Sequence, residues 1–215
     1  MSQPTDVLEF EDLVAPRLTD VQRQILDHTE SRTVDLDEGR MLAEAVEQAG
    51  ADDLDEADGV TGRITAYVAA IEADDGLTQL IRGTLRARIV RLLRNRLSLH
   101  ELLKRFPEIE TIEIEKPFIV VGMPRSGTTH LVNLLAADPR RRALPYWESR
   151  EPMPLPGQGP DIFGVDPRYT AAKAEHEAMM VSAPHTAALH DRFPEAIEEE
   201  CEIQDLDFSA YVLEW

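Results

Sequence analysis

Residues 117–135 read PFIVVGMPRSGTTHLVNLL, and this stretch decides the fold expected of the chain. After Pro117 the uninterrupted apolar run Phe118, Ile119, Val120, Val121 suits a strand buried on both faces. Gly122 to Gly127 suits a tight turn. Thr128 to Ala137 then reads as a helix with Leu131, Val132, Leu134 and Leu135 facing inward, stopped by Asp138 and Pro139. A strand, a glycine-rich loop and a helix in that order bring several backbone N–H groups and the positive end of a helix dipole to one point, which favours a phosphate-type anion.

The loop Gly122 to Thr129, GMPRSGTT, carries the two glycines of the triphosphate loop GxxxxGK[ST], but Thr128 stands where that pattern requires lysine. In triphosphate enzymes the lysine reaches the β and γ phosphates and the next hydroxyl holds Mg²⁺. Here the cation lies inside the turn, as Arg125. Such a loop suits a nucleotide with a single 5′-phosphoryl group bearing an activated bond.

At these residues the chain resembles the sulfotransferases, whose donor is 3′-phosphoadenosine 5′-phosphosulfate (PAPS). The PRSGTT core is similar to that of the protein-tyrosine sulfotransferases and of large bacterial groups, whereas cytosolic sulfotransferases usually carry lysine at the Arg125 position and tryptophan at the His130 position. The resemblance implies an α/β fold of the P-loop-like, three-layer kind with a parallel sheet. It also implies that Arg125, Ser126, Gly127, Thr128 and Thr129 bind the 5′-phosphosulfate without a metal. Transfer of the sulfuryl group to a hydroxyl or amine is an in-line displacement, in which Arg125 and the loop N–H groups would neutralise charge on the departing oxygen.

The acceptor needs a base. Glu148 is the first choice, since in protein-tyrosine and heparan sulfotransferases a glutamate a little over twenty residues past the loop cation has this role, and Glu148 lies 23 residues past Arg125. The competing reading makes it a surface carboxylate beside Arg150. His185, 60 residues past Arg125, has a spacing similar to that of the cytosolic enzymes' histidine, and His190 precedes the acidic segment Glu195 to Glu202. Both are alternatives for the base. Tyr146 and Trp147 suit either an acceptor pocket or the core. The family also binds the donor's 3′-phosphate with a downstream arginine and serine, and no such pair follows Glu198.

Working outward, the chain divides into a helical region, 1–110, and the first part of the sulfotransferase-like domain, 111–215. A helix is expected from Asp37 to Ala49, capped by Gly50, and another from about Leu77 to Leu97. Ser98 and Glu101 have the spacing of a capping box, which starts a new short helix ending at Pro107. Pro152 to Pro160 is loop, Ala143 to Tyr146 a second strand, and 194–215 helical. A doubly wound sheet normally has about five or six strands. One strong strand and one or two weak ones leave it incomplete, so the chain is expected to be an N-terminal fragment of a longer enzyme or to take its missing strands from elsewhere.

Composition sets the outer limits. With 22 Lys and Arg against 41 Asp and Glu the net charge is −19, which disfavours nucleic acid and anionic membranes as partners. The first 62 residues hold 17 acidic and 4 basic side chains, whereas Arg82 to Arg105 holds 8 basic residues against Glu101 alone. That basic run is read as a solvated helix face, with polyanion or lipid contact as the alternative. Cys201 is the single cysteine, so no intrachain disulfide forms, in keeping with a cytoplasmic setting. The expected acceptor is a small molecule, a lipid or a glycan, with a peptide tyrosine as a further alternative. A nucleotide kinase or NTPase with a degenerate loop, or a binding protein that keeps the fold without catalysis, are the other readings.

Overall fold

The computed structural model describes Val14 and residues 17–54, 59–123, 126–186 and 192–209. Its N-terminal half is built by helices, three of which carry a side-chain N-cap. Helix α1 (Asp20–Glu30) opens with a complete capping box, in which the Thr19 hydroxyl accepts from the Gln22 N–H and the Gln22 side chain accepts from the Thr19 N–H. Helix α2 (Glu38–Ala49) starts where the Asp37 carboxylate accepts from the Arg40 N–H, and it ends at Gly50 with φ 65°. Both the expected helix and its stop are present. Helix α3 (Val60–Ala73) buries Val60, Ile64, Val68 and Ile71 on one stripe.

Helix α4 (Gln79–Arg105) organises the molecule. Its 27 residues run unbroken through Ser98, with Thr78 capping the start and Lys104 and Arg105 placed favourably at the negative end of the dipole. The expected break at Ser98 does not occur. Leu97 is fully buried and Leu99 packs beside it, so continued apolar packing outweighs a local capping signal. Ile89, Val90, Leu92, Leu93 and Leu97 meet α2, α3 and, from the far end of the sequence, Leu206 and Phe208, forming the main core.

The basic run on α4 is not a solvated face. Arg86 bonds Glu44 and the Asp35 carbonyl, Arg96 bonds Asp207 and the Leu54 carbonyl, and Lys104 bonds Asp53. Arg88 pairs with Asp205, Arg94 with Glu151, and Arg91 with Glu202 at 3.1 Å, while Arg91 also donates to the Arg150 carbonyl at 2.5 Å. The arginines thus fasten both the acidic N-terminal region and the C-terminal segment to one helix, with Arg96 reaching both.

The expected α/β architecture with a parallel sheet is overturned. No β-strand occurs among the described residues, which are helical or irregular throughout. A strand needs a neighbour to take its N–H and C=O groups, and no paired neighbour flanks 117–121. Ile119 and Val121 are 78% and 86% exposed, and Phe118 lies under the Arg141 guanidinium, 3.7 Å from the ring centroid. The apolar run expresses a preference for burial without supplying a partner. At the expected second strand, Pro145 forms an isolated antiparallel bridge to Ile197, but proline has no N–H to extend a ladder, and Tyr146 already begins a helix.

The second half consists of α5 (Thr128–Ala136), α6 (Tyr146–Arg150), α7 (Pro167–Ser182) and α8 (Cys201–Gln204), followed by a 3-10 turn, Asp205–Asp207. Residues 152–160 are loop, as expected. The helix expected over 194–215 is confined among the described residues to α8 and that turn; 210–215 lie outside them.

Candidate functional site

The N-terminus of α5 forms the candidate site. Gly127 precedes it with φ 94°, a left-handed conformation that glycine adopts without a steric penalty, and no side chain among the described residues caps the helix. The first intrahelical bond runs from the Leu131 N–H to the Gly127 carbonyl, so the earliest N–H groups of the helix have no intrahelical acceptor. The preceding turn is closed by the Ser126 N–H donating to the Met123 carbonyl at 3.2 Å. Gly122 faces this turn so closely that a Cβ there would lie 2.7 Å from Thr128 Cγ2 and 2.8 Å from Ser126 Oγ. A side chain at 122 would therefore have to displace the Thr128 and Ser126 side chains. Ser126 and Gly127 are exposed and Thr128 and Thr129 half-buried. Arg125, expected to be the loop cation, lies outside the described residues, as does His190.

Asn133, which the sequence reading passed over, ties this helix to the segment bearing Glu148. Its amide nitrogen donates to the Thr129 carbonyl at 2.8 Å and to the Ile197 carbonyl at 3.2 Å, and its Oδ1 accepts from the Ile197 N–H at 3.2 Å. The strip around Ile197 in turn accepts from the Tyr146 and Trp147 N–H groups, through Ala196 and Pro194, and donates from Glu198 to the Leu144 carbonyl. Helices α5 and α6 are thereby both bonded to the strip 194–198. A single asparagine inside the apolar run 128–136 was the available signal.

Glu148 lies on α6, largely buried, with Oε2 bonded to Arg142 and not to Arg150, which pairs with Glu175 at 2.7 Å. The surface pairing expected as its alternative is therefore replaced by another. Oε1 of Glu148 accepts no hydrogen bond among the described residues. His185 sits exposed in the turn after α7, an end of that helix joined to α1 by the Gln22 side chain donating to the Ser182 carbonyl. Tyr146 lines a small pocket of about 220 Å³ with Arg150, His176 and Met179, while Trp147 packs edge-on to Tyr169, with Arg168 over its ring.

Residues 117–215 match the model of a family described as the sulfotransferase family. At family level, this chain resembles the sulfotransferases. Two crystal structures agree with that likeness. Sulfotransferase STF1 from Mycobacterium tuberculosis is 25% identical, with a TM-score of 0.65, over 86% of this chain and 50% of its own. Sulfotransferase STF9 from Mycobacterium avium, at 23% identity and a TM-score of 0.68, covers 84% of this chain and 47% of its own. The chain thus spans about half the length of the solved sulfotransferases it matches. No curated protein sequence matches it significantly. No helix among the described residues is long and apolar enough to cross a membrane.

Proposed function

We propose that this chain forms the donor-binding part of a PAPS-dependent sulfotransferase, with Arg125, Ser126, Gly127, Thr128 and Thr129 holding the 5′-phosphosulfate. The uncapped N-terminus of α5, packed against Gly122 inside a segment resembling the sulfotransferases, is the observation that carries this reading. The residues fit the group: the first N–H groups of α5 lack intrahelical acceptors, two threonines open the helix directly after an exposed turn, and the sequence from Gly122 to Thr129 holds no carboxylate. When bound, PAPS supplies an activated sulfuryl group.

The loop N–H groups and Arg125 neutralise negative charge on the leaving phosphate oxygens, an effect for which one lost donor typically costs about 3–4 kcal/mol. Glu148 takes the proton of the acceptor hydroxyl or amine on Oε1 while Arg142 fixes the carboxylate through Oε2. His185 and His190 are the alternatives for that proton. The expected metal independence follows from the threonine at 128, where a triphosphate loop carries its lysine.

Calorimetric titration with adenosine 3′,5′-bisphosphate tests the proposal. Binding is expected without Mg²⁺ and should weaken about tenfold or more in Arg125→Ala, which removes a charge-assisted donor. Gly122→Ala should weaken it as well, because the new Cβ pushes Thr128 and Ser126 apart. Mg²⁺-dependent ATP binding without bisphosphate binding would assign the loop to a nucleotide kinase instead.

A further inference from the structure

A second concave site lies between α4 and the segment running from α6 through α7 to α8. It is a cleft of about 760 Å³, bounded at one end by the last turn of α1, and none of Ser126, Gly127, Thr128 or Thr129 lines it. That volume lies within the range of small-molecule sites, about 300–1,000 Å³. Its walls carry six guanidinia, from Arg32, Arg88, Arg91, Arg94, Arg150 and Arg192, and three carboxylates, from Glu151, Glu175 and Glu202.

The balance of charge inside the cleft is therefore the reverse of that of the whole chain, whose net charge is −19. All three carboxylates are already engaged. Glu151 pairs with Arg94, Glu175 with Arg150, and Glu202 is shared between Arg91 at 3.1 Å and Arg192 at 3.7 Å. Asp205, which does not line the cleft, takes Arg88, and Arg32 has no ion-pair partner among the described residues. Arg91 is buried, and its pKa is lowered first by that burial and then by the neighbouring Arg150, so the guanidinia repel one another across the wall. Each guanidinium has five N–H donors in a planar fork suited to oxyanions, and Arg32 and Arg192 are exposed enough to receive one from solvent.

We infer that this cleft binds a small molecule carrying two or three oxyanion charges, such as a phosphate monoester or diphosphate, between Arg32, Arg192 and the arginines of α4. The site is separate from the α5 loop and stands whether or not that loop binds PAPS.

Pyrophosphate is the probe, titrated by calorimetry into the full chain at about 0.1 M salt, where long-range repulsion from the acidic surface is largely screened. Binding with a submillimolar Kd is expected, unchanged in Gly122→Ala, which perturbs the loop alone. The exposed pair of changes Arg32→Gln and Arg192→Gln should weaken it about tenfold, with circular dichroism showing an intact helical fold. If the double variant fails to fold, Arg32→Gln alone serves, with roughly threefold weaker binding expected because one charged donor is lost. Absence of binding, affinity unchanged in the arginine variants, or affinity lost in Gly122→Ala would each overturn the inference.

Discussion

Asn133 shows how much one side chain can fix. Its amide satisfies both the N–H and the C=O of Ile197, groups that would otherwise be half-buried without a partner. Asn133→Leu preserves side-chain size and favours the helix, yet it leaves that peptide unpaired at a cost of about 1–3 kcal/mol. A lower melting temperature is expected, together with weaker adenosine 3′,5′-bisphosphate binding as α5 loosens; an unchanged melt would show that the clasp contributes nothing. Glu202 supplies a second test through pH. Burial opposes its charge, but Arg91, Arg150, Arg88 and Arg192 together outweigh burial and hold its pKa below the ordinary 4.5. A depressed carboxyl contributes stability that is present above its unfolded pKa and lost as pH falls through the folded value. Asp205 works the other way: burial raises its pKa above 3.8 despite Arg88, so its penalty at neutral pH is relieved on acidification. Glu202→Gln strands the buried Arg91 and should cost about 3 kcal/mol at pH 7. Urea titrations at pH 7 and at pH 3.5 should show that gap closing at the lower pH, whereas an equal gap at both would remove the carboxylate's charge as its source.

At the scale of elements, α4 displays the competition between local signals and packing. Ser98 and Glu101 have capping-box spacing, but the helix passes through them with Leu97 fully buried and Leu99 packed against the core. Ser98→Ala should therefore be neutral or slightly stabilising, by a few tenths of a kcal/mol, because alanine is the better interior helix former. A loss of about 1 kcal/mol in a urea titration would instead mean that the serine acts as a cap. The same contrast explains what could be read in advance. Helix α2 was legible from end to end because Asp37, its apolar spacing and Gly50 all point one way. Helix α7 carried an equally local signal, Asp166 as cap with Pro167 at the first position, which was there to be used. The segment 118–121 misled because strand identity depends on a neighbour that no local pattern encodes. The loop glycines were legible, since a turn before a helix demands them, while the clasp from Asn133 to Ile197 joins residues far apart in sequence and so left only the trace of a polar residue in an apolar run. The arginines of α4 were countable, but their acceptors lie at both ends of the chain, beyond the reach of periodicity.

At the scale of the whole molecule, burial is uneven. The main core unites α2, α3, α4 and Phe208, whereas Ile112, Ile114, Phe118, Ile119, Val121 and Met123 stand exposed along one stretch, followed by exposed Leu131 and Leu134 on α5, a helix with no fully buried residue. An apolar surface of this extent favours association, and the net charge of −19 opposes it by mutual repulsion between chains. Salt decides between the two, because the repulsion is screened over about 8 Å at 0.15 M while the apolar attraction is not. The chain should therefore run as a smaller species on size-exclusion chromatography in dilute buffer and as a larger one as salt and protein concentration rise. Ile119→Lys together with Val121→Lys should abolish that shift. Both residues are outside the core, so the melting transition of the helical region should move by no more than about 0.5 kcal/mol equivalent. A single monomeric peak at every salt concentration would mean that the exposed stretch is covered within the chain itself, and a collapse of the melt in the double variant would mean that it belongs to the cooperative core.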